Sequence, residues 1–263
     1  MSFEMQIFLV AIFALAMGSF VSLLSYRLAN KQPIIFTRSK CINCGCVLKA
    51  INLIPLFSWL CQKGKCSQCH CKISARYPAI ELSFLITFLA IFFVLGSEIN
   101  FKILLYFLIA STLIAMCVID LEQYFIPNSL QYALAILATI LVIHQGGTNA
   151  AIINVKAAFL YAGFGVALWI FFYFAGGFEA IGIDDIKFFF IAGLMLGTKN
   201  FLAFMLLSGV FGLAFGAAWQ KFKKDETFPF APAICLAAMF CLLFDKKINP
   251  VDLLGSMLFF NSF

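Results

Sequence analysis

Two sets of residues in this sequence have the types and spacing that chemistry requires, and the first is a set of cysteines. Seven of the ten cysteines lie between Cys41 and Cys71, in two similar motifs, Cys41-Ile-Asn-Cys44-Gly-Cys46 and Cys66-Ser-Gln-Cys69-His-Cys71. Two CxxC pairs at this separation are typical of a tetrahedral four-thiolate zinc site. The predicted ligands of a structural Zn²⁺ are therefore Cys41, Cys44, Cys66 and Cys69.

Other interpretations of the cysteines stay open at this point. The two motifs could instead form two disulfides, although a cytoplasmic location, argued below, keeps thiols reduced. Cys46, Cys71 and His70 are possible substitute ligands. The side chains interpreted as packing residues are Cys61, Cys117, Cys235 and Cys241. A site filled by four cysteines has no open coordination position, so the metal is predicted to be structural and to supply folding free energy to a segment with little core.

The second set consists of carboxylates next to apolar segments. Asp120 ends one such segment in Val118-Ile-Asp120-Leu-Glu122, and Asp184 and Asp185 begin another in Gly182-Ile-Asp-Asp-Ile-Lys187. Two carboxylates that meet at one depth could act as an aspartyl hydrolase, in which one activates water and the other, protonated, polarises the scissile carbonyl. The alternative is a set of interfacial aspartates that cap helices.

Helix ends predict how the two carboxylates divide these roles. Asp120 lies at a predicted helix C-terminus, which disfavours its anion, and Asp185 lies at a predicted N-terminus, which favours it. We therefore expect Asp185 to act as the base and Asp120 as the acid, in a pair that titrates as a unit.

The elements that must position these residues are apolar helices. The 263 residues are 63% hydrophobic and 11% charged, with a mean hydropathy of +1.02, whereas soluble domains have about a quarter charged residues. Segments of about 20 apolar residues can span a bilayer. The predicted spans are 5–26, 79–96, 103–119, 129–145, 157–175, 187–198, 201–219 and 229–244.

The positions of the basic residues predict the orientation. Nine of the 18 Lys and Arg residues fall between Arg27 and Arg76. Because cytoplasmic loops carry the excess of basic residues, this segment is predicted to be cytoplasmic and both termini to lie outside the cytoplasm. The same clustering explains the net charge of +6 as a topology signal, so no nucleic-acid partner is predicted.

The predicted fold class is an all-α polytopic membrane protein of about eight transmembrane helices, with a small zinc-ribbon-like cytoplasmic domain between helices 1 and 2. The expected domains are a first transmembrane helix (1–28), the cysteine-rich domain (29–78), a transmembrane peptidase domain (79–250) and an apolar tail (251–263).

Several motifs, in order, resemble the prepilin peptidases, or type IV leader peptidases. They are Gly18-Ser-Phe20 with Tyr26-Arg-Leu28, the paired CxxC motifs around Ile54-Pro-Leu-Phe-Ser-Trp59, Arg76-Tyr-Pro-Ala-Ile-Glu-Leu82, Ile119-Asp120 with Ile126-Pro-Asn128, and Gly182-Ile-Asp-Asp-Ile-Lys187. The last two match the aspartate motifs of this GxGD-type family. The sequence departs from the usual pattern at Asp184, where the family normally has Gly, and at Asn128, where many members have Asp.

The resemblance implies an enzyme whose catalytic pair is Asp120 and Asp185. It would cleave the basic leader of type IV prepilins or type II secretion pseudopilins at the cytoplasmic face of the bacterial inner membrane. It would also N-methylate the new N-terminus with S-adenosylmethionine, through residues that the sequence does not identify. Its partners would be the substrate helix and the lipid bilayer. The alternatives are a proton-coupled transporter that uses the same aspartates, or an inactive membrane scaffold.

Overall fold

The computed structural model describes residues 2–29, 33, 38–176, 181–223 and 228–244, and the regular elements of this part of the chain are helices. The predicted tail 251–263 and the acidic residue Glu179 lie outside the described residues. The helices are α1 (Phe3–Ala29), α2 (Phe57–Cys61), α3 (Arg76–Val94), α4 (Phe101–Gln123), α5 (Asn128–Gly176), α6 (Ile183–Leu196), α7 (Phe201–Lys223) and α8 (Ala231–Phe244). Short 3₁₀ turns lie at Ala50–Leu53 and Thr198–Asn200.

Five of these helices are long and apolar enough to cross a membrane. They are α1, α3, α4, α5 and α7, and they confirm the prediction of a helical membrane protein. Helices also lie at the sixth and eighth predicted spans, but α6 and α8 have 14 residues each. At about 1.5 Å per residue, each is shorter than a hydrocarbon core of about 30 Å. The count of eight crossings therefore stays a prediction.

Helix α5 covers two predicted spans, 129–145 and 157–175, without a described loop between them. It has 49 residues and is interrupted at Gly147, whose φ of 72° and ψ of −174° are not helical. Positive φ is accessible to glycine at little cost, so Gly147 allows one long apolar stretch to change direction and form two helical halves.

The chain divides into two compact units, Met1–Ser111 and Thr112–Phe263. In the first unit, α1 packs against α3 where Gly18 faces Glu81. A Cβ at Gly18 would lie 2.8 Å from the Glu81 Cα, so only glycine permits this approach. The Phe88 and Phe107 rings stack with centroids 4.2 Å apart within the aromatic core of the unit.

In the second unit, α5 packs closely along α6. A Cβ at Gly193 would lie 2.7 Å from the backbone of Ala157 and Ala158, so the two helix backbones are nearly in contact. Nearby, the Tyr161 hydroxyl donates to the Gly197 carbonyl at 3.0 Å, and the Asn154 amide donates to the Leu194 carbonyl at 2.9 Å. These bonds satisfy carbonyls at the end of α6 and fix its position against α5.

Candidate active site and cysteine cluster

Asp120 lies near the end of α4 and is only 6% exposed. Its Oδ2 accepts a 2.9 Å hydrogen bond from the backbone N–H of Ala231, the first residue of α8. The carboxylate therefore faces the positive N-terminus of a second helix. The C-terminus of α4, on which the sequence prediction rested, destabilises the Asp120 anion. The contact with the start of α8 counteracts this destabilisation.

Asp185 lies in the first turn of α6 and is half-buried. Its Oδ2 accepts a 3.1 Å hydrogen bond from the Gly182 N–H. Together with the hydrogen bond from the Asp185 N–H to the Gly182 carbonyl, this forms a reciprocal cap at the start of the helix. The carboxyl group is thus held at the helix N-terminus, as the sequence analysis expects.

The structure brings Asp120 and Asp185 close enough to interact although they are 65 positions apart in the chain. Their carboxyl groups, on α4 and α6, lie within range of direct electrostatic interaction, and each also interacts with Asp184. Electrostatic repulsion between two such groups favours the state in which only one is ionised, and aspartic proteases use that state to activate water.

The two positions that depart from the family pattern meet at one lysine. The Lys187 ammonium donates to the Asp184 carboxylate at 2.8 Å and to the Asn128 side-chain carbonyl at 3.0 Å. Asn128 begins α5, Asp184 lies in the first turn of α6, and Lys187 lies three residues after Asp184. Asp184 is therefore neutralised by a cation and is 37% exposed, so it is not a second buried carboxylate beside Asp185.

Gln131 is a positioning residue that the sequence analysis missed. It is 2% exposed and donates from its Nε2 to the Asp184 carbonyl at 3.1 Å. This bond fixes the backbone directly before Asp185 against α5. A polar side chain within an apolar helix was the signal in the sequence, because such a group is seldom buried without a partner.

The two cysteine motifs fold alike. The Cys41 N–H donates to the Cys46 carbonyl and the Cys66 N–H to the Cys71 carbonyl, each at 2.9 Å. Gly45 and His70, at equivalent positions, have φ of 70° and 55°. The left-handed residue turns the chain sharply, and the third cysteine of each motif thereby returns toward the first two.

Six of the cysteine thiols lie close together in two overlapping groups. The first consists of Cys41, Cys66, Cys69 and Cys71, and the second of Cys44, Cys46 and Cys66, with the sulfur atoms of each group within 4.8 Å of one another. Three of the four predicted ligands belong to the first group, whereas Cys44 belongs to the second. All ten cysteines are free thiols in this structure.

These thiols suit a soft cation such as Zn²⁺, which would bind them as thiolates. Backbone N–H groups of Cys44 and Asn43 lower the pKa of the Cys41 thiol to about 6. The hydrogen bond with the Cys69 thiol raises the pKa of Cys71 to about 12. Neighbouring thiolates repel one another in this cluster, and a bound cation would remove that repulsion.

Glu81 is a second residue whose contact could not be predicted from the sequence. In the structure it is 7% exposed, and its Oε2 accepts a 2.7 Å hydrogen bond from the Leu56 N–H. Leu56 has a φ of 59°, which is unfavourable for a leucine. Glu81 therefore connects α3 to the segment between the two cysteine motifs.

Comparison with known proteins identifies the family. The bacterial peptidase A24 N-terminal domain matches residues 12–95, which include the cysteine cluster, and the type IV leader peptidase family matches residues 107–217, which include both aspartates. A Bacillus subtilis (strain 168) protein is 33% identical over 242 residues, 90% of this chain and 94% of its own length.

The chain belongs to the type IV leader peptidase family. This confirms the resemblance and the peptidase interpretation, and the transporter alternative is not favoured. A Burkholderia pseudomallei (strain K96243) relative is 29% identical over 91% of this chain and 86% of its own length, and a Legionella pneumophila relative is 27% identical over 91% of each. All three relatives are named prepilin leader peptidase/N-methyltransferase. No solved structure matches the chain.

Proposed function

We propose that this enzyme cleaves the leader peptide of type IV prepilins or type II secretion pseudopilins with Asp120 and Asp185 as its catalytic pair. The observation that carries the assignment is the proximity of these two carboxyl groups, which come from α4 and α6. Both belong to the segment that matches the leader peptidase family.

In the proposed reaction, the pair holds one proton between its two carboxyl groups. The ionised carboxylate, which we assign to Asp185, removes a proton from water as the water oxygen attacks the scissile carbonyl carbon. The protonated partner, Asp120, donates a proton to the carbonyl oxygen and gives a neutral tetrahedral intermediate. Transfer of a proton to the amide nitrogen then breaks the C–N bond and releases the leader carboxylate and a new amine.

The proposed setting is the cytoplasmic face of the bacterial inner membrane, with both termini of the chain outside the cytoplasm. The substrate is a single apolar helix that enters from the lipid phase with its basic leader on the cytoplasmic side. Water and the leader meet the catalytic pair at the membrane surface, where both carboxylates lie at helix ends.

The second proposed activity is N-methylation of the amine that cleavage releases. S-adenosylmethionine is the proposed donor, since it supplies an electrophilic methyl group, and the relatives carry the N-methyltransferase name. We propose that Zn²⁺ bound by the cysteine cluster is structural. It would hold together a segment whose exposed apolar side chains, Ile42, Ile51 and Phe57, leave little core.

A cleavage assay in cells tests the catalytic pair. The native chain, Asp120→Asn and Asp185→Asn are each expressed with a prepilin, and the leader is followed by gel mobility and mass spectrometry. We expect processing by the native chain and a loss of at least 100-fold in each variant, since either substitution leaves the pair without its shared proton.

Glu98→Gln is the matched control, because it changes an exposed carboxylate that belongs to neither motif. It should process the prepilin at the native rate. Cleavage that survives both aspartate substitutions would contradict the assignment of the pair. A native chain that processes none of several authentic substrates would instead support the inactive scaffold.

A further inference from the structure

We propose that the cysteine cluster is a binuclear site, in which six thiolates bind two soft divalent cations such as Zn²⁺. The six ligands are Cys41, Cys44, Cys46, Cys66, Cys69 and Cys71. This inference deepens the structural-metal part of the proposed function, which requires only one ion and four of these cysteines.

The first observation is that the third cysteine of each motif belongs to the cluster. Cys46 lies 3.1 Å from Cys44, and Cys71 lies 3.2 Å from Cys69 and 3.7 Å from Cys41. A site for one ion would use four thiols and leave two others beside it without a metal. A second ion would use these two thiols as ligands.

The second observation is the way in which the two groups overlap. A tetrahedral ion needs four sulfur ligands, so six thiolates satisfy two ions only if two of them bridge. Cys66 belongs to both groups and is the buried member, 3% exposed. Cys66 would therefore be one of the two shared ligands, and the second would come from the other members of the first group.

The sulfur spacing agrees with shared coordination. With metal–sulfur bonds of about 2.3 Å, the edge of a thiolate tetrahedron is about 3.8 Å. The distances from Cys41 to Cys69 and to Cys71 are 3.9 and 3.7 Å. The shorter distances within each motif, 3.1 and 3.2 Å, join cysteines two positions apart and would lengthen by about 0.6 Å on reaching that edge.

The charges around the cluster are compatible with two ions. Six thiolates with two divalent cations carry two negative charges. Exposed lysines, Lys40, Lys65 and Lys72, directly adjoin Cys41, Cys66 and Cys71. They occupy the short antiparallel bridges Lys40–Val47 and Lys65–Lys72 that close each motif. These cations partly offset the two residual negative charges.

Metal analysis of the full-length protein in detergent tests the proposal. Zinc is measured by mass spectrometry against protein quantified by amino-acid analysis, after removal of loosely bound metal. We expect about two zinc ions per native chain and about one in Cys46→Ser/Cys71→Ser. Cys61→Ser is the matched control, because Cys61 is an exposed cysteine of the same segment outside both groups, and it should retain two.

Cobalt replacement tests the bridge independently. Two Co²⁺ ions that share a thiolate are magnetically coupled, so the paramagnetic resonance signal should rise with the first equivalent of Co²⁺ and fall with the second. One zinc per native chain, an unchanged metal content in the double variant, or two uncoupled Co²⁺ ions would each overturn the proposal. Leader cleavage is measured on the same preparations, so one zinc with intact cleavage would refute only the binuclear site.

Discussion

Single residues around the candidate pair are held by backbone groups. Asp120 accepts the Ala231 N–H and Asp185 accepts the Gly182 N–H, each with one carboxylate oxygen. Asp185 lies at a helix N-terminus, which favours its anion. At Asp120 the start of α8 counteracts the unfavourable end of α4, and repulsion between the two groups then favours a state in which only one is ionised.

Asp184→Asn tests whether the extra carboxylate beside Asp185 takes part in cleavage. The Lys187–Asp184 pair is largely exposed, so it should contribute at most about 1 kcal/mol to stability. The Lys187 ammonium would still donate to Asn128. We expect leader cleavage within about fivefold of native, since 1 kcal/mol corresponds to about a fivefold change in rate. A loss as large as that of Asp185→Asn would show that Asp184 is catalytic.

Gln131→Ala removes the donor that fixes the backbone before Asp185. The Asp184 carbonyl would lose its partner, at a cost of about 1–3 kcal/mol. If the bond positions Asp185, a cost of about 1.4 kcal/mol in the transition state lowers kcat tenfold and leaves KM unchanged.

Tyr132→Phe is the control for this substitution. Tyr132 is the next residue of α5 and is 70% exposed, so the loss of its hydroxyl should leave both constants at native values. A Gln131→Ala enzyme that is less stable but has native kcat would assign Gln131 a structural role only.

At the scale of elements, the pair is positioned by close packing of α5 and α6. Gly193 brings α6 against the Ala157 and Ala158 backbone, and Gly165 accommodates the Phe189 ring, where a Cβ would lie at 2.8 Å. Helices in a membrane gain little from the hydrophobic effect on association, so close contact between small residues is a main source of stability. The position of Asp185 therefore depends on Gly193, about two turns further along α6, and on small residues of the partner helix α5.

Gly193→Ala and Gly163→Ala should change stability in opposite directions. Alanine at Gly193 meets backbone at 2.7 Å, and overpacking costs about 1–3 kcal/mol. Alanine at Gly163 meets nothing within 4 Å and gains up to about 1 kcal/mol of helix propensity.

Thermal unfolding of the two alanine variants in detergent measures this difference. Gly193→Ala should unfold at a lower temperature than the native enzyme and Gly163→Ala at the same or a higher one. Equal shifts in both variants would contradict the close approach of α5 and α6.

At the scale of the whole molecule, the two kinds of chemistry lie in different compact units. The cysteine cluster belongs to Met1–Ser111, and the pair of aspartates belongs to Thr112–Phe263. Within the first unit, Glu81 connects the membrane helix α3 to the cysteine-rich segment through Leu56. Disturbing this connection should affect the first unit without displacing the aspartates.

Limited trypsin digestion of Glu81→Ala tests the connection between Glu81 and Leu56. The Leu56 N–H loses its acceptor at a cost of about 1–3 kcal/mol, so opening of the segment and cleavage after Lys63 or Lys65 should accelerate by about 5- to 100-fold. Glu81→Gln retains an acceptor oxygen and should restore most of the protection. Native digestion rates in Glu81→Ala would refute the connection.

The sequence by itself determined the class of membrane protein, the positions of the helices, the two cysteine motifs and the aspartates of the candidate pair. These features are local: apolar length gives a helix, and a left-handed residue in a CxxCxC motif gives a tight turn. The family resemblance rested on the same short motifs and was confirmed by comparison over about nine tenths of the chain.

Only the tertiary structure decided which distant groups meet. Three sets of contacts show this. Asp120 contacts the start of α8, Glu81 and Gln131 form hydrogen bonds with distant backbone groups, and Cys46 and Cys71 belong to the thiol cluster. No regular spacing in the sequence predicts any of these contacts. A buried polar group must find a partner, but its own sequence position does not identify that partner. The packing of small residues between helices determines which groups become neighbours. In the second unit, this packing holds the two candidate aspartates close enough to interact.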